Sequence, residues 1–350
     1  MNKEEIQTIL DNAIAERVFP GAVVGILGND GGREIISAGR FEYDVDSHEV
    51  QAETVYDVAS ITKSVPVGLL ALQLIEQGRL SLDDRIIDLL PEVTTTGAEV
   101  ALVRHLLTYS YVLKKTEGFS FERASAQDIF RFLFSGELAF APGSQYQYSN
   151  TPFLLLGLII ERLTGEKLYT LARQNIFEPL AMRRATFAPA EWASVPPTEV
   201  TSWRGKVQGV VHDETAYILQ RDGFDAGCAG LFASADDILN VAEMVLGDGV
   251  FRGVRMFEPR TIALMEENAL GAIGAWSGIG WELNTLRFMG EHAHEHMIGK
   301  TGFTGTCVVI DPRSMKAFVL LSNATFPKRP PNGDAISAVR RAVADGIFRP

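Results

Sequence analysis

Three short stretches, far apart in a chain of 350 residues, carry side chains able to make a hydroxyl reactive. Ser60-Ile61-Thr62-Lys63 sets a serine and a lysine three positions apart. At a helix start that is about one turn, so both side chains leave the same face and the ammonium can reach the hydroxyl. Tyr148-Ser149-Asn150 follows Ala141-Pro142-Gly143-Ser144 and leads into an apolar helix, and Lys300-Thr301-Gly302 stands directly before the strand-like run Thr306 to Ile310. The chemistry open to this set is acyl transfer. A serine hydroxyl is a poor nucleophile at neutral pH and needs an adjacent base. Unperturbed lysine and tyrosine titrate at about 10, so neither is a base at neutral pH until its surroundings favour the deprotonated form. Two lysines in one cleft create such surroundings, because each disfavours the other's charge while both stabilise a phenolate. Lys63, Tyr148 and Lys300 are therefore expected to form a mutually tuned set around Ser60.

Each motif also has a plain structural reading. Ser60 could be a helix cap with an unrelated surface lysine, Tyr148-Ser149-Asn150 a turn into a capped helix, and Lys300 a solvated turn residue. Chance supplies about half a Ser-x-x-Lys, about 0.2 Tyr-x-Asn and about 0.05 Lys-Thr-Gly in a chain of this composition. Together these give about 0.005, which disposes of coincidence.

The elements that must position these residues can be outlined from periodicity. Residues 3 to 17 carry Ile6, Ile9, Leu10, Ala13 and Ile14 on one stripe, a first amphipathic helix. Residues 22–28 and 34–40 flank Asn29-Asp30-Gly31-Gly32, which predicts a β-hairpin. From Ser60 to about residue 220 helical patterns alternate with loops, the helices marked by Leu69 to Ile75, Val103 to Leu107, Ile129 to Phe134 and Leu154 to Leu163. Strand patterns return at Gly280 to Leu283, Thr306 to Ile310 and Ala317 to Ser322. A last helix carries Ile336, Val339, Val343 and Ile347 on one face. The expected architecture is an α/β (α+β) fold. Residues 1–62 and 223–350 would form one α/β domain from both termini, residues 63–222 an inserted, mainly helical domain, and the cleft between them the active site.

In the order of their occurrence, Val58 to Lys63, Arg104-His105-Leu106-Leu107-Thr108, Pro142-Gly143 with Tyr148-Ser149-Asn150, Ile176 to Leu180, Ala229 to Phe232 and Gly302 to Thr306 resemble the serine β-lactamase and penicillin-binding-protein superfamily. The likeness is to the branch of class C β-lactamases, D-alanyl carboxypeptidases and family VIII carboxylesterases, and it spans almost the whole chain. It implies a β-lactamase/transpeptidase-like fold, with an antiparallel sheet flanked by terminal helices and an inserted all-α domain. It further implies that Ser60 is the acylated nucleophile, with Lys63 and Tyr148 moving protons. The backbone N–H groups of Ser60 and Phe303 would form the oxyanion hole. Asn150 would hold the acyl-side amide or the Lys63 head, and Lys300, Thr301 and Gly302 would bind substrate, the first two at a carboxylate. Three departures from the branch stand out: Tyr109-Ser110-Tyr111 where Thr-Ser-Gly is common, read as a bulkier cleft edge; Pro66 inside the nucleophile helix, where it removes a donor; and Phe303 at the mouth. These weigh against β-lactam turnover more than against acyl transfer, so a small-acyl carboxylesterase or amidase leads. A β-lactamase or D-alanyl-D-alanine carboxypeptidase follows, and a non-turning-over penicillin-binding or sensor protein is the reading of another class.

Composition narrows the partners to small-molecule esters, amides or β-lactams. With 32 Lys+Arg against 44 Asp+Glu the net charge is −12, unsuited to nucleic acid or anionic lipid. The longest apolar runs are eight residues, and a membrane span needs about twenty. The amino terminus lacks the pattern of a secretory signal and Cys228 and Cys307 form no close-spaced pair, which suits a cytoplasmic protein; a trimmed exported chain would read the same. If the segment is extended, His292, His294 and His296 would share one face and could bind zinc or nickel, but a solvated edge or loop is the plainer reading and no metal is expected. No phosphate-cradling glycine pattern occurs, and no cofactor is expected. His212-Asp213-Glu214 reads as a loop anchor, and Ser234-Ala235-Asp236-Asp237 as a helix capping box. Trp203, Trp276 and Phe303 are candidate pocket aromatics, Trp281 a core residue.

Overall fold

A computed structural model describes residues 3–115 and 120–349. The expected hairpin forms as strands Gly21–Leu27 and Arg33–Gly39, and the late strands as Glu282–Leu283, Cys307–Asp311 and Lys316–Ser322. A fourth late strand, Ile298–Thr301, carries Lys300 and Thr301. All six join in one antiparallel sheet. Its order is Arg33–Gly39, Gly21–Leu27, Lys316–Ser322, Cys307–Asp311, Ile298–Thr301, Glu282–Leu283, so the amino-terminal hairpin adds directly to the carboxy-terminal strands.

Side chains alternate across that sheet, as the pleat requires. Val24, Phe318, Leu320 and Val309 face helices Lys3–Ala15 and Asp334–Ile347, which bring Ile6, Leu10, Val343 and Ile347 into the same cluster. Val23, Val319, Leu321, Val308 and Ile310 face the opposite way, into a larger core shared with helix Ala235–Leu246 and the helices between residues 69 and 221. Each Val, Leu, Ile or Phe so buried contributes about 1.5–3 kcal/mol. Helix Ala235–Leu246 starts as its sequence predicts: the Ser234 hydroxyl accepts the Asp237 N–H and the Asp237 carboxylate accepts the Ser234 N–H. The fold is thus an antiparallel sheet covered on one face by the terminal helices, with helical material inserted between its strands.

Within the stretch of helices and loops from Ser60 to about residue 220 the chain also makes a short hairpin, Glu199–Thr201 paired with Gly205–Val207. The segment holding His292, His294 and His296 is turn rather than strand, so the three rings share no face. They reach separate carboxylates: His294 lies 2.8 Å from Asp311, His292 3.6 Å from Glu291 and His296 3.7 Å from Glu295. Tyr109 and Tyr111 do not stand at the cleft edge but are fully buried.

Candidate active site

The turn that carries Ser60 is built by backbone constraint. Ala59 takes φ +49°, a left-handed conformation that costs a non-glycine residue energy and reverses the chain just before Ser60. Three ties hold it there. Asp57 accepts the Ala59 N–H at 2.8 Å, Thr62 donates to the Ala59 carbonyl at 2.6 Å, and the same Thr62 hydroxyl accepts the Leu231 N–H at 3.1 Å. A helical turn starts at Ser60, and Pro66 breaks the run as the sequence predicts, with Val65 driven to extended dihedrals (φ −123°, ψ 112°).

That turn brings Lys63 Nζ to 3.0 Å from Ser60 Oγ and 2.7 Å from the Cys228 carbonyl oxygen. Lys63 is wholly buried. Burial pulls its ammonium below its ordinary value, while the negative potential of Asp213 and Glu282 pulls the other way. The Tyr148 hydroxyl shares a hydrogen bond with Ser60. Although 44% of Tyr148 is exposed along the cleft, its phenol end lies inward. Loss of solvation pushes it up to about 12, against the lowering effect of Lys300 and the Ser60 bond. Asn150, at the start of helix Thr151–Thr164, donates 2.8 Å to Asp213, whose other oxygen caps helix Glu214–Arg221 through the Ala216 N–H.

Lys300 approaches from the sheet. Its ammonium is completely buried, 4.4 Å from the ring centre of Tyr109 and 4.7 Å from that of Tyr148, and 2.8 Å from a Glu282 carboxylate oxygen. Thr301 ends the strand, paired with Cys307. Gly302 follows where there is no room for a side chain, since a Cβ would stand 2.1 Å from Thr306 Oγ1 and 2.4 Å from the Val58 carbonyl oxygen. Arg340, also buried, donates to the Gly302 and Thr306 carbonyls at 2.9 and 2.8 Å and fixes this turn from behind. Among the described residues no hydrogen-bond acceptor takes the N–H of Ser60 or of Phe303. The Phe303 ring is 59% exposed and stacks on His212 with centres 5.6 Å apart.

Ser60, Tyr148, Asn150 and Phe303 open onto one cavity of about 520 Å³. One wall is apolar, made by Val112, Leu113, Ile129, Phe132 and Leu154; the other carries His212, Asp213, Glu214 and Arg329. Trp203 and Trp276 are not part of it; Trp203 packs on Tyr217 and Arg204, and Trp281 is core. Sequence reasoning passed over Glu282, Asp57 and the site-facing role of Asp213. An acidic residue inside the apolar run Gly280 to Leu283 was the available signal for the first.

The arrangement sets a lysine and a phenol against one serine hydroxyl. The beta-lactamase family model matches residues 6–341, and the chain belongs to that family. It is 26% identical over 347 residues to an N-acetylmuramyl-L-alanine amidase of Bacillus subtilis (strain 168), covering 87% of this chain and 77% of the relative. It is 28% identical over 318 residues to a putative D-alanyl-D-alanine carboxypeptidase of Escherichia coli (strain K12), covering 80% and 72%. In fold it is similar to EstCE1, a hydrolase with promiscuous acyltransferase activity, with a TM-score of 0.77, 22% identity and 97% and 98% of the two chains covered. The protein is a serine hydrolase of the beta-lactamase family. Among the described residues no helix is long and apolar enough to cross a membrane, and no group of three or more His, Cys, Asp or Glu could hold a metal ion.

Proposed function

We propose that the protein hydrolyses small carboxylic esters and amides through an acyl-enzyme on Ser60. The observation that carries this is the 3.0 Å contact from the buried Lys63 amine to Ser60 Oγ. Burial biases Lys63 toward the neutral amine and Tyr148 toward the phenol. Lys63 therefore takes the Ser60 proton as Oγ attacks the acyl carbon. The negative charge that develops on the carbonyl oxygen is received by the free N–H groups of Ser60 and Phe303. Tyr148 passes a proton to the departing alcohol or amine, and Lys63 replenishes it. In the second half the neutral Lys63 amine draws a proton from water through the Tyr148 hydroxyl, the water oxygen bonds to the acyl carbon, the acyl–Oγ bond breaks, and Lys63 returns the proton to Ser60 Oγ as the acid leaves. Asn150, fixed by Asp213, borders the acyl side. Thr301 and Gly302 form the ledge on which the substrate lies, with Lys300 beneath Tyr148. The apolar wall suits a short hydrocarbon acyl or alcohol group. Free, buried Cys228 and Cys307 suit a reducing compartment, and a cytoplasmic location belongs to this reading.

A second reading, a β-lactamase or D-alanyl-D-alanine carboxypeptidase, is favoured by the likeness to the putative D-alanyl-D-alanine carboxypeptidase and by the intact Lys300-Thr301-Gly302 stretch. A fluorophosphonate probe with adduct mapping, followed by turnover of a p-nitrophenyl ester, a chromogenic cephalosporin and a D-Ala-D-Ala peptide, separates the readings. A Ser60 adduct with ester turnover supports the first. Preference for either of the other substrates selects the second, and an adduct without turnover would make the protein a sensor.

A further inference from the structure

Resting on that hydrolase reading, we propose that Glu282 is a specificity-determining residue: by holding Lys300 it makes the cleft select acyl donors without a carboxylate. A carboxylate that leaves water for a partly buried site needs a cation with free donors. The cation placed nearest to offer one, beneath the Tyr148 ring, is Lys300. Its ammonium is already neutralised by Glu282 at 2.8 Å, and none of its surface is open to the cavity. Tyr109 and Tyr148 cover it with their ring faces at 4.4 and 4.7 Å. An incoming carboxylate would have to displace Glu282, leaving that carboxylate half-buried and unpaired, and such breakage of a buried pair is costly.

The cation on the far wall is engaged in the same way. Arg329 pairs with Glu199 at 2.9 Å and with Glu214. Asp213 and Glu214 add negative charge to that wall, and Asp213 faces Asn150 rather than a cation. Lys115 lies at the outer lip, exposed to solvent, where salt and water screen it. The opposite wall, with Ile129, Phe132 and Leu154, offers nothing to an anion. A neutral ester or amide meets no such penalty, because its one polar demand, the developing oxyanion, is met by backbone N–H groups.

The test compares two esters that share a leaving group and nearly the same acyl length: p-nitrophenyl butyrate and p-nitrophenyl hydrogen glutarate. The wild-type protein should show kcat/KM at least about tenfold higher for the butyrate, a difference of about 1.4 kcal/mol. In Glu282→Gln, which keeps the shape but releases the ammonium, that ratio should shrink at least about fivefold, mainly through KM for the glutarate. Competitive inhibition supplies a readout on the unmutated protein: butyramide should bind more tightly than butyrate ion. Equal rates for the two esters in a wild-type protein that still forms a Ser60 adduct would overturn the inference and leave the hydrolase reading standing. An unchanged ratio in folded Glu282→Gln would also overturn it. A protein that forms no Ser60 adduct and cleaves neither ester would overturn both.

Discussion

The Thr306 hydroxyl donates 3.0 Å to the carbonyl of Val58, a residue 248 positions earlier. Thr304 makes the parallel bond to the Asp57 carbonyl at 2.8 Å. These two bonds stitch the turn after Lys300-Thr301-Gly302 to the turn that carries Ser60, and they set the distance between the two N–H groups assigned to the oxyanion. Gly302 lies in the seam. Gly302→Ala inserts a methyl at 2.1 Å from Thr306 Oγ1, so the seam must open. The expected result is a destabilisation of about 1–3 kcal/mol in a denaturant titration. A displacement of that size near reacting atoms should also lower kcat about a hundredfold. Wild-type kcat in Gly302→Ala would show that the seam does not position the N–H pair.

Ser60→Ala removes the proposed nucleophile while leaving the Ala59 turn and its three ties in place. Ester hydrolysis should vanish into background, and the thermal midpoint should stay within about 1–2 °C of wild type, equivalent to about 1 kcal/mol for a chain of 350 residues. Residual turnover above the uncatalysed rate in the purified variant would move the nucleophile elsewhere.

Lys63 ties activity and stability to pH in the same direction. Burial lowers its folded-state value below the 10.5 of an ordinary lysine. Between those two values the unfolded chain binds the extra proton, so stability rises with pH across the window and is lost as acid charges Lys63 inside the core. The neutral amine is also the form proposed to take the Ser60 proton, so kcat/KM should climb with pH through the lowered value. Lys63→Arg, which cannot deprotonate, should cost about 10²–10⁴ in kcat. Lys63→Met should remove the rise in stability between the lowered value and 10.5. A Lys63→Arg variant with near wild-type kcat would remove Lys63 from the role of base.

The chemistry was legible because its spacing is local. Three residues from Ser60 to Lys63 are one helical turn, and a tyrosine two residues before an asparagine at a helix start keeps that relation in the fold. What remained hidden depends on pairing across the sheet. Strand Ile298–Thr301 is four residues long and contains Gly299 and Lys300, so it shows no alternation to mark it. Only its register, Gly299 opposite Glu282, brings Glu282 beside Lys300. Tyr109 and Tyr111 are polar-tipped residues in what reads as a loop, yet the chain folds back to bury both, because Gln147 donates to the Tyr109 carbonyl at 3.0 Å and pins that loop under the Tyr148 segment. The His292 to His296 run alternates on paper. Turns at either end make the alternation meaningless in space.

Asp57 gives a second pH-dependent term, of opposite sign. It is buried, accepts N–H groups from His212 at 2.6 Å and Ala59 at 2.8 Å, and burial outweighs those bonds to push its carboxyl up to about 6. Because the folded-state value lies above the ordinary 3.8, the folded protein holds a proton that the unfolded chain has released between these pH values. The stabilisation is therefore fully present below about pH 4 and is lost as pH rises through about 6, a change of about 3 kcal/mol if the whole shift is expressed. The stability of wild type minus that of Asp57→Asn, followed by urea titration at pH 4.5, 5.5 and 7, should fall across the series. Asparagine does not titrate, so the difference isolates the one carboxyl. Once ionised, Asp57 grips the Ala59 and His212 N–H groups more strongly, so Asp57→Asn should lose activity at pH 7 by slackening the nucleophile turn. A difference that rises with pH would mean that the two N–H bonds outweigh burial and hold the Asp57 carboxyl below 3.8.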